Sequence, residues 1–547
     1  MVTKSSPRPA RRDCSSPIQT SAMKKPAFCG MVEGTGWKTI RRDPPFTMNI
    51  INLGHSMKYE NECVAMLFFP EEKIVTVQPE EEAARQLADA RQNGGDYILT
   101  QLSPEGALLV QVRLAGQERT AEGQVPAGEP NPLDWAEHWM AKQMYLLLEE
   151  LTGSRPSWGI MTGVRPIKMF RRQLERMSPE ECRRFFAEEY LITPQKIDLA
   201  METEQRESPL LRQVTPDSFS LYLSIPFCPT RCSYCSFVAH SIHTKKARDL
   251  LPRYVDLLCE EIAATAEAAR RAGLRLDTVY YGGGTHTTLS AQQLDQVCQA
   301  VAEHFDLSSC REYTVEAGRP DTIDLEKLLV LKKHGVDRIS INPQTLNDRV
   351  LEEIGRHHTA QQTIDAFHLA RQAGFTNINM DLIAGLPTDT LESFRSTVDQ
   401  VLALDPENVT VHTLSIKRSA NYGSSPEARQ KALESAQQVE AMVSYAQQQL
   451  MSHGLMPYYL YKQRNTLGNL ENTGYCKPGC ECRYNIYIMD EQQTILAVGG
   501  GAVTKLWDGS AQRLERVFNY KYPFEYIDRF DEVLRRKQKI LDFWGVR

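Results

Sequence analysis

Residues 221–235 read LYLSIPFCPTRCSYC, a short β-rich run followed by three cysteines, Cys228, Cys232 and Cys235, in the spacing C-x3-C-x2-C. Three thiolates this close in one loop can wrap a single cubane iron–sulfur cluster and leave its fourth iron without a protein ligand. The alternative is a zinc site completed by His240 or His243, because Cys3His is a common structural set. Zinc loops, however, usually come as two separated ligand pairs. Position favours the cluster, since the loop directly follows the first strand of a repeating α/β pattern, where such folds collect their function.

The repeat is visible on both sides of that run. β-rich stretches are expected at 221–225, 278–281, 313–316, 338–341, 377–383 and 409–414, with helical periods at 246–272, 291–304, 325–334, 360–373 and 391–404. Such a succession implies a parallel sheet with right-handed crossovers, doubly wound or curled into a partial (β/α)6 barrel. Glu316, Gln344 and Asp381 fall at or near the carboxyl ends of these strands, where polar side chains face the barrel mouth. Gly282, Gly283 and Gly284 end the second strand, and glycines there let the backbone approach a ligand closely. The turn lacks the Gly-Lys-Ser/Thr ending of a phosphate loop, so ATP binding is not indicated. An open iron can instead chelate the amino and carboxylate groups of S-adenosylmethionine (SAM), and electron transfer from the reduced cluster then cuts the sulfonium C–S bond.

The 547-residue chain exceeds one ordinary domain, and its patterning divides into five stretches. Residues 1–47, rich in Pro, Ser, Lys and Arg without a period, are expected to be a disordered, dispensable leader. Residues 48–150 read as a small α/β domain and 151–217 as a charged helical connecting arm, solvated on one face. Residues 218–420 form the core, and 421–547 a separate C-terminal substrate or lid domain. The formal net charge of -6 argues against nucleic acid as a partner. No apolar run is long enough for a membrane span, and no secretory signal follows the initial charges, so a cytoplasmic location is expected. The 13 cysteines, an odd number, do not suggest a disulfide framework.

The segments Tyr222 to Cys228 (YLSIPFC), Tyr281 to Thr285 (YGGGT), Val315 to Asp321 (VEAGRPD), Arg338 to Gln344 (RISINPQ) and Met380 to Pro387 (MDLIAGLP) together resemble the radical SAM superfamily. Within it they resemble the oxygen-independent coproporphyrinogen III dehydrogenase family, particularly its HemZ-like branch. The resemblance implies a 4Fe–4S cluster on Cys228, Cys232 and Cys235. It implies SAM-binding or radical-site roles for Glu316, Gln344, Arg356 and Asp381, with Tyr222 and Tyr234 flanking the cluster and Gly283, Gly284 and Thr285 along the bound cofactor. The substrate it implies is a porphyrinogen or haem-like tetrapyrrole, with an electron donor or acceptor as a second partner. The reaction it implies is oxidative decarboxylation of coproporphyrinogen III to protoporphyrinogen IX, with haem chaperones and haem-modifying proteins as alternatives. Two positions depart from the family pattern: Phe237 stands where a further cysteine is usual, and His286 where proline is general.

Other groups are open to more than one reading. Cys476, Cys480 and Cys482 fit no standard metal spacing and are expected to be ordinary thiols. Arg165, Arg319, Lys417 and Arg418 are candidates for holding propionate carboxylates, because guanidinium matches a carboxylate in bidentate fashion. Gly499, Gly500 and Gly501 follow a β-like run and are expected to make a tight turn.

Overall fold

The computed structural model describes residues 47–70, 72–77, 79–237, 239–415, 436–463 and 466–546. Nearly all of the expected leader, together with Lys417 and Arg418, therefore lies outside the described residues. The chain forms two compact units. One runs to Thr162 and includes Glu188–Ile192; the other comprises Gly163–Ala187 and the chain from Thr193 onward.

The first unit is a five-stranded sheet of β1 (Thr47–Leu53), β2 (Lys73–Val77), β3 (Tyr97–Leu102), β4 (Ala107–Leu114) and β5 (Gln117–Gln124), in the order β2-β1-β3-β4-β5. β1 is parallel to β2 and β3, and the last two strands add as antiparallel hairpins. Alternation along β4 buries Leu108, Val110, Val112 and Leu114 on one face, where they meet Met140, Met144 and Leu148 of the helix Pro132–Thr152. Period two on the strand and a 3–4 residue period on the helix build one shared core.

In the second unit β6 (Ser218–Ile225) leads into the short pair β7 (Phe227–Cys228) and β8 (His240–Ser241). The array continues with β9 (Arg275–Gly283), β10 (Glu312–Gly318), β11 (Arg338–Ile341), β12 (Ile378–Ala384) and β13 (Asn408–Thr413). Neighbours β6-β9-β10-β11-β12-β13 are all parallel and lie in chain order, the winding of a partial (β/α)6 barrel. Their interior positions are apolar and fully buried, as at Leu221, Val279, Val315, Ile339, Leu382 and Val409.

The C-terminal stretch is not separate from this sheet. β14 (Met456–Lys462) and β15 (Glu471–Cys476) extend it antiparallel beyond β13, while β16 (Thr494–Val498) lies parallel beside β6 and carries β17 (Val503–Asp508) and β18 (Arg513–Phe518). Open edges of a parallel array need covering strands, and the chain past 421 supplies them at both ends. The helical arm, exposed along one face at Arg172, Arg176, Arg183 and Arg184, also turns charged groups inward. Arg171 on the helix Pro166–Leu174 is largely buried against Glu207 and Asp490, and Lys196 is buried against Glu471 at 2.5 Å. Among the described residues no helix is long and apolar enough to cross a membrane.

A buried polar network ties the C-terminal helix Phe530–Phe543 to the root of the cysteine loop. Glu261 on the helix Lys245–Arg271 accepts from Tyr526 Oη at 2.6 Å, from Gly499 N and Asn519 Nδ2 at 2.7 Å each, and pairs with Lys537 Nζ at 2.6 Å. Tyr254, two turns earlier on the same face of that helix, donates to Ser224 O at 2.8 Å and accepts from Gly500 N at 2.7 Å. Glu261→Ala strands the Lys537 ammonium in the interior, and a loss of about 3–5 kcal/mol is expected. Tyr254→Phe keeps the packing and should cost about 1–3 kcal/mol. Denaturant titration of the full chain measures both, and an unchanged midpoint for Glu261→Ala would contradict the network's importance.

Candidate functional site

The cysteine loop is fixed from several sides. Ile242 N donates to Cys228 O at 3.0 Å, Ser241 Oγ to Pro229 O at 2.5 Å, Thr230 Oγ1 to Gly355 O at 2.9 Å and Ser233 N to Ile354 O at 3.0 Å. The Thr285 hydroxyl reaches Cys228 Sγ at 3.5 Å, and Arg319 Nη1 reaches Cys232 Sγ at 3.9 Å. Burial pushes the Cys228 thiol up to about 12 and raises Cys235 as well. Burial acts the same way on Cys232, but Arg356 and Arg319 outweigh it and hold that thiol below its ordinary value. Both guanidinium groups are buried, so this corner presents fixed positive charge to whatever anionic group the thiols hold.

From Arg356 the site continues across the barrel mouth. Arg356 Nη1 donates to Asn342 O at 2.5 Å. Two residues on, Gln344 takes φ +66°, a left-handed backbone that a non-glycine residue rarely adopts. It is held there by Gln344 N to Asp381 O at 2.9 Å and Ile383 N to Gln344 O at 3.0 Å. The Asp381 carboxylate accepts from Asn379 Nδ2 at 2.7 Å and lies 3.8 Å from His412 Nε2. Burial would raise Asp381, yet His412, Asn379 and Thr410 outweigh it and keep the carboxyl below its usual value. Glu316 behaves oppositely. Burial, with Asp381 adding repulsion, raises it to about 7 despite a 2.5 Å hydrogen bond from Tyr280 Oη.

The structure thus brings Cys228, Cys232, Cys235, Tyr234, Thr285, Arg356, Gln344, Asp381 and Glu316 into one connected region. Tyr234 sits with Arg356 and Cys232, whereas Tyr222 stands in a tyrosine stack, its ring centroid 5.9 Å from Tyr484 and 6.3 Å from Tyr280. Gly284 is needed for a reason other than ligand approach: a Cβ there would lie 2.3 Å from Ile225 O and 2.5 Å from Phe227 O. His286, which replaces the usual proline, is fully buried and pushed down to about 4 by desolvation. Two proposed carboxylate holders are already engaged. Arg319 forms a bidentate pair with Asp321, both contacts at 2.8 Å, and Arg165 pairs with Glu491 at 2.6 Å. Tyr280, Asn342, His412 and Tyr461, which meets His412 Nδ1 at 3.5 Å, escaped the sequence reading. For Tyr280 on β9 and His412 on β13 the signal was alternation along strands already identified, whereas Asn342 follows β11 and Tyr461 lies on β14, a strand not expected from the sequence.

The donor set suits a cluster and an amphoteric ligand. Three thiols share one loop, and Gln344 Oε1, Arg356 Nε and Asn342 Oδ1 are buried polar atoms without a hydrogen-bond partner among the described residues. No group of three His, Cys, Asp or Glu side chains among the described residues is gathered for a single metal ion. Cys482 instead donates to Glu312 Oε1 at 3.2 Å, and Cys476 is buried in an apolar cluster rich in tyrosine.

The strand array and three-cysteine loop define a radical SAM protein, and the family model of the Radical SAM superfamily matches residues 222–401. Over 400 residues the chain is 41% identical to the oxygen-independent coproporphyrinogen-III oxidase-like protein HemZ of Bacillus subtilis (strain 168), covering 72% of this chain and 79% of that one. It is 33% identical over 331 residues to the heme chaperone HemW of Lactococcus lactis subsp. lactis (strain IL1403), covering 60% and 81% respectively. A solved structure of coproporphyrinogen III oxidase (HemN) from Escherichia coli matches with a TM-score of 0.46 at 22% identity, over 62% of this chain and 82% of that one. The chain belongs to the oxygen-independent coproporphyrinogen-III oxidase-like family of radical SAM proteins, whose cofactors are a 4Fe–4S cluster and SAM.

Two experiments probe the mouth. Gln344→Gly should relieve the left-handed strain that Gln344→Ala retains, leaving the glycine variant about 1 kcal/mol more stable than the alanine one, and both should weaken SAM binding in calorimetry. Equal thermal midpoints for the two variants would refute the strain. Glu316 holds its proton more tightly folded than unfolded, so stability should fall as pH rises from the ordinary carboxylate range through about 7, then level off. In cluster-free protein Glu316→Gln should therefore gain up to about 3 kcal/mol over wild type at pH 8, a gain that vanishes toward pH 4. Parallel pH profiles for the two proteins would count against a raised Glu316.

Proposed function

We propose that this chain is a SAM-dependent oxidoreductase that removes the carboxyl groups of two propionate side chains of coproporphyrinogen III without oxygen, leaving the vinyl groups of protoporphyrinogen IX. The observation that carries this reading is the continuous polar path from Cys232 through Arg356, Asn342 and Gln344 to the Asp381 and Glu316 carboxyls. It is supported by 41% identity over most of a protein named oxygen-independent coproporphyrinogen-III oxidase-like. When bound, the cluster and SAM supply the hydrogen-abstracting radical. Cys228, Cys232 and Cys235 would hold the cluster, and the buried Arg319 and Arg356 would offset the charge of its thiolates. Gln344, Arg356 and Asp381 would orient SAM, with the ionised Asp381 facing a cationic ligand. Glu316, which titrates near neutrality, would keep or give up a proton at the mouth without large cost. Each propionate loses carbon dioxide, one hydrogen atom and one electron, so a one-electron acceptor is a required partner.

A second reading, haem binding and transfer, is favoured by the relatives named heme chaperone HemW. Anaerobically reconstituted protein with SAM and a reductant separates the two. The dehydrogenase reading expects protoporphyrinogen and carbon dioxide from coproporphyrinogen III, in step with 5′-deoxyadenosine. Asp381→Asn and Gln344→Ala should retain full iron content and lower deoxyadenosine formation about 100-fold. Any of Cys228, Cys232 or Cys235 changed to Ala should lose the cluster. Tight haem binding without decarboxylation, unaffected by the Asp381 and Gln344 variants, would replace this proposal with the chaperone.

A further inference from the structure

The cluster of this family must receive an electron from outside, and the rim beside the third cysteine has a composition suited to a particular donor. Just past Cys235 the Phe237 side chain is 58% exposed. Nearby, the His240 ring meets Tyr522 and Phe524 edge-on, both at 6.3 Å between centroids, and Tyr522 and Phe524 stack on each other at 5.5 Å. Tyr522 is itself 38% exposed. Lys246 Nζ lies 5.2 Å from the Phe524 ring centre. Lys245, Lys246, Arg248 and Lys521 are all exposed on the two segments that make this rim, against the carboxylates Asp249 and Glu525. The local excess is therefore positive in a chain whose formal net charge is -6.

Backbone hydrogen bonds anchor both segments of the rim. Gly501 N donates to Tyr520 O at 2.7 Å and Asn519 N to Ala502 O at 3.0 Å, which fixes the segment leading to Tyr522. That turn in turn packs on Pro226, ahead of Cys228, through Gly500. His240 N donates to Pro226 O at 2.9 Å, fixing the other segment. An aromatic patch anchored in this way, with exposed cations on its flanking segments, attracts anionic surfaces from a distance.

We propose that this rim, formed by Phe237, Tyr522 and Phe524 with Lys245, Lys246 and Lys521, is the docking surface for an acidic one-electron carrier protein. Charge complementarity selects the carrier, and the aromatic rings bring its redox centre next to the Cys235 side of the loop. One electron passes per encounter: the carrier is oxidised by one electron and the cluster is reduced by one, with no bond made or broken. The proposal rests on the family's cluster and is independent of which tetrapyrrole is the substrate.

The test uses the full reconstituted chain and a bacterial flavodoxin, an acidic flavin protein, as probe. Calorimetry should give a dissociation constant that rises steeply with salt, and the triple variant Lys245→Glu, Lys246→Glu, Lys521→Glu should bind about tenfold or more weakly with a flatter salt dependence. Phe237→Ser should weaken binding without changing the salt slope. Reduction of the cluster by dithionite, a small reductant that needs no docking, and SAM binding should both match wild type. Unchanged flavodoxin affinity in the triple variant would overturn the docking surface. Loss of dithionite reduction or of iron would show instead that the charges act on the loop itself, which would equally overturn it. The decarboxylation reading is judged separately by its products and stands or falls without this result.

Discussion

The backbone at the root of the cysteine loop passes through a gap that tolerates no side chain on either wall. On one side Gly284, just past β9, stands where a Cβ would lie 2.3 Å from Ile225 O; on the other Gly499, just past β16 with φ +94°, would place a Cβ 2.2 Å from Ser224 O. Real Cβ atoms do not approach backbone oxygens so closely, so residues 224–228 can take this course only between two glycines. Three consequences follow from that squeeze. Thr285 arrives beside Cys228, β7 pairs with β8, and the loop turns back over the carboxyl ends of the strands with its cysteines inward. The loop's geometry thus depends on a turn about 270 residues downstream in the chain.

Charge is arranged around the loop in two layers. Beneath the cysteines, Arg319 and Arg356 are buried cations whose cost is met by Asp321, by backbone carbonyls and by the thiols themselves. Across the mouth, Glu316 and Asp381 lie close enough to repel, and the pair resolves the conflict by separating their affinities for protons. His412 and Asn379 favour the ionised Asp381, while burial keeps Glu316 near neutrality. Such splitting is the usual signature of groups arranged for a ligand rather than for stability alone. Gln344 belongs to the same pattern, a strained backbone maintained by ladder bonds to the neighbouring strand, with its amide oxygen left free of protein partners among the described residues.

The tyrosines show why residues distant in the chain act as one site. Tyr222 from β6, Tyr280 from β9 and Tyr484 from the helix Arg483–Asp490 stack inside the barrel, and Tyr280 delivers its hydroxyl to Glu316. The stack fills the interior beneath the mouth, so the polar groups above it rest on a close-packed floor. Tyr222 consequently supports the site from below, and Tyr234 is the tyrosine that stands among the cysteines.

The sequence by itself determined the local facts. Alternating strand and helix periods announced the parallel array, C-x3-C-x2-C placed three thiols in one loop, and strand ends marked Glu316, Gln344 and Asp381, because each of these signals is carried within a dozen neighbouring residues. Tertiary structure alone decided which distant segments complete them. That the chain beyond 421 adds strands at both edges of the parallel array, that Arg319 pairs with Asp321 and still reaches Cys232 beside Arg356, and that Gly499 shapes the loop all depend on long-range strand pairing and burial. Those are fixed by competition among the whole set of possible partners, which no local pattern encodes, since a buried charge or an unpaired edge must be satisfied by whatever the finished fold brings beside it.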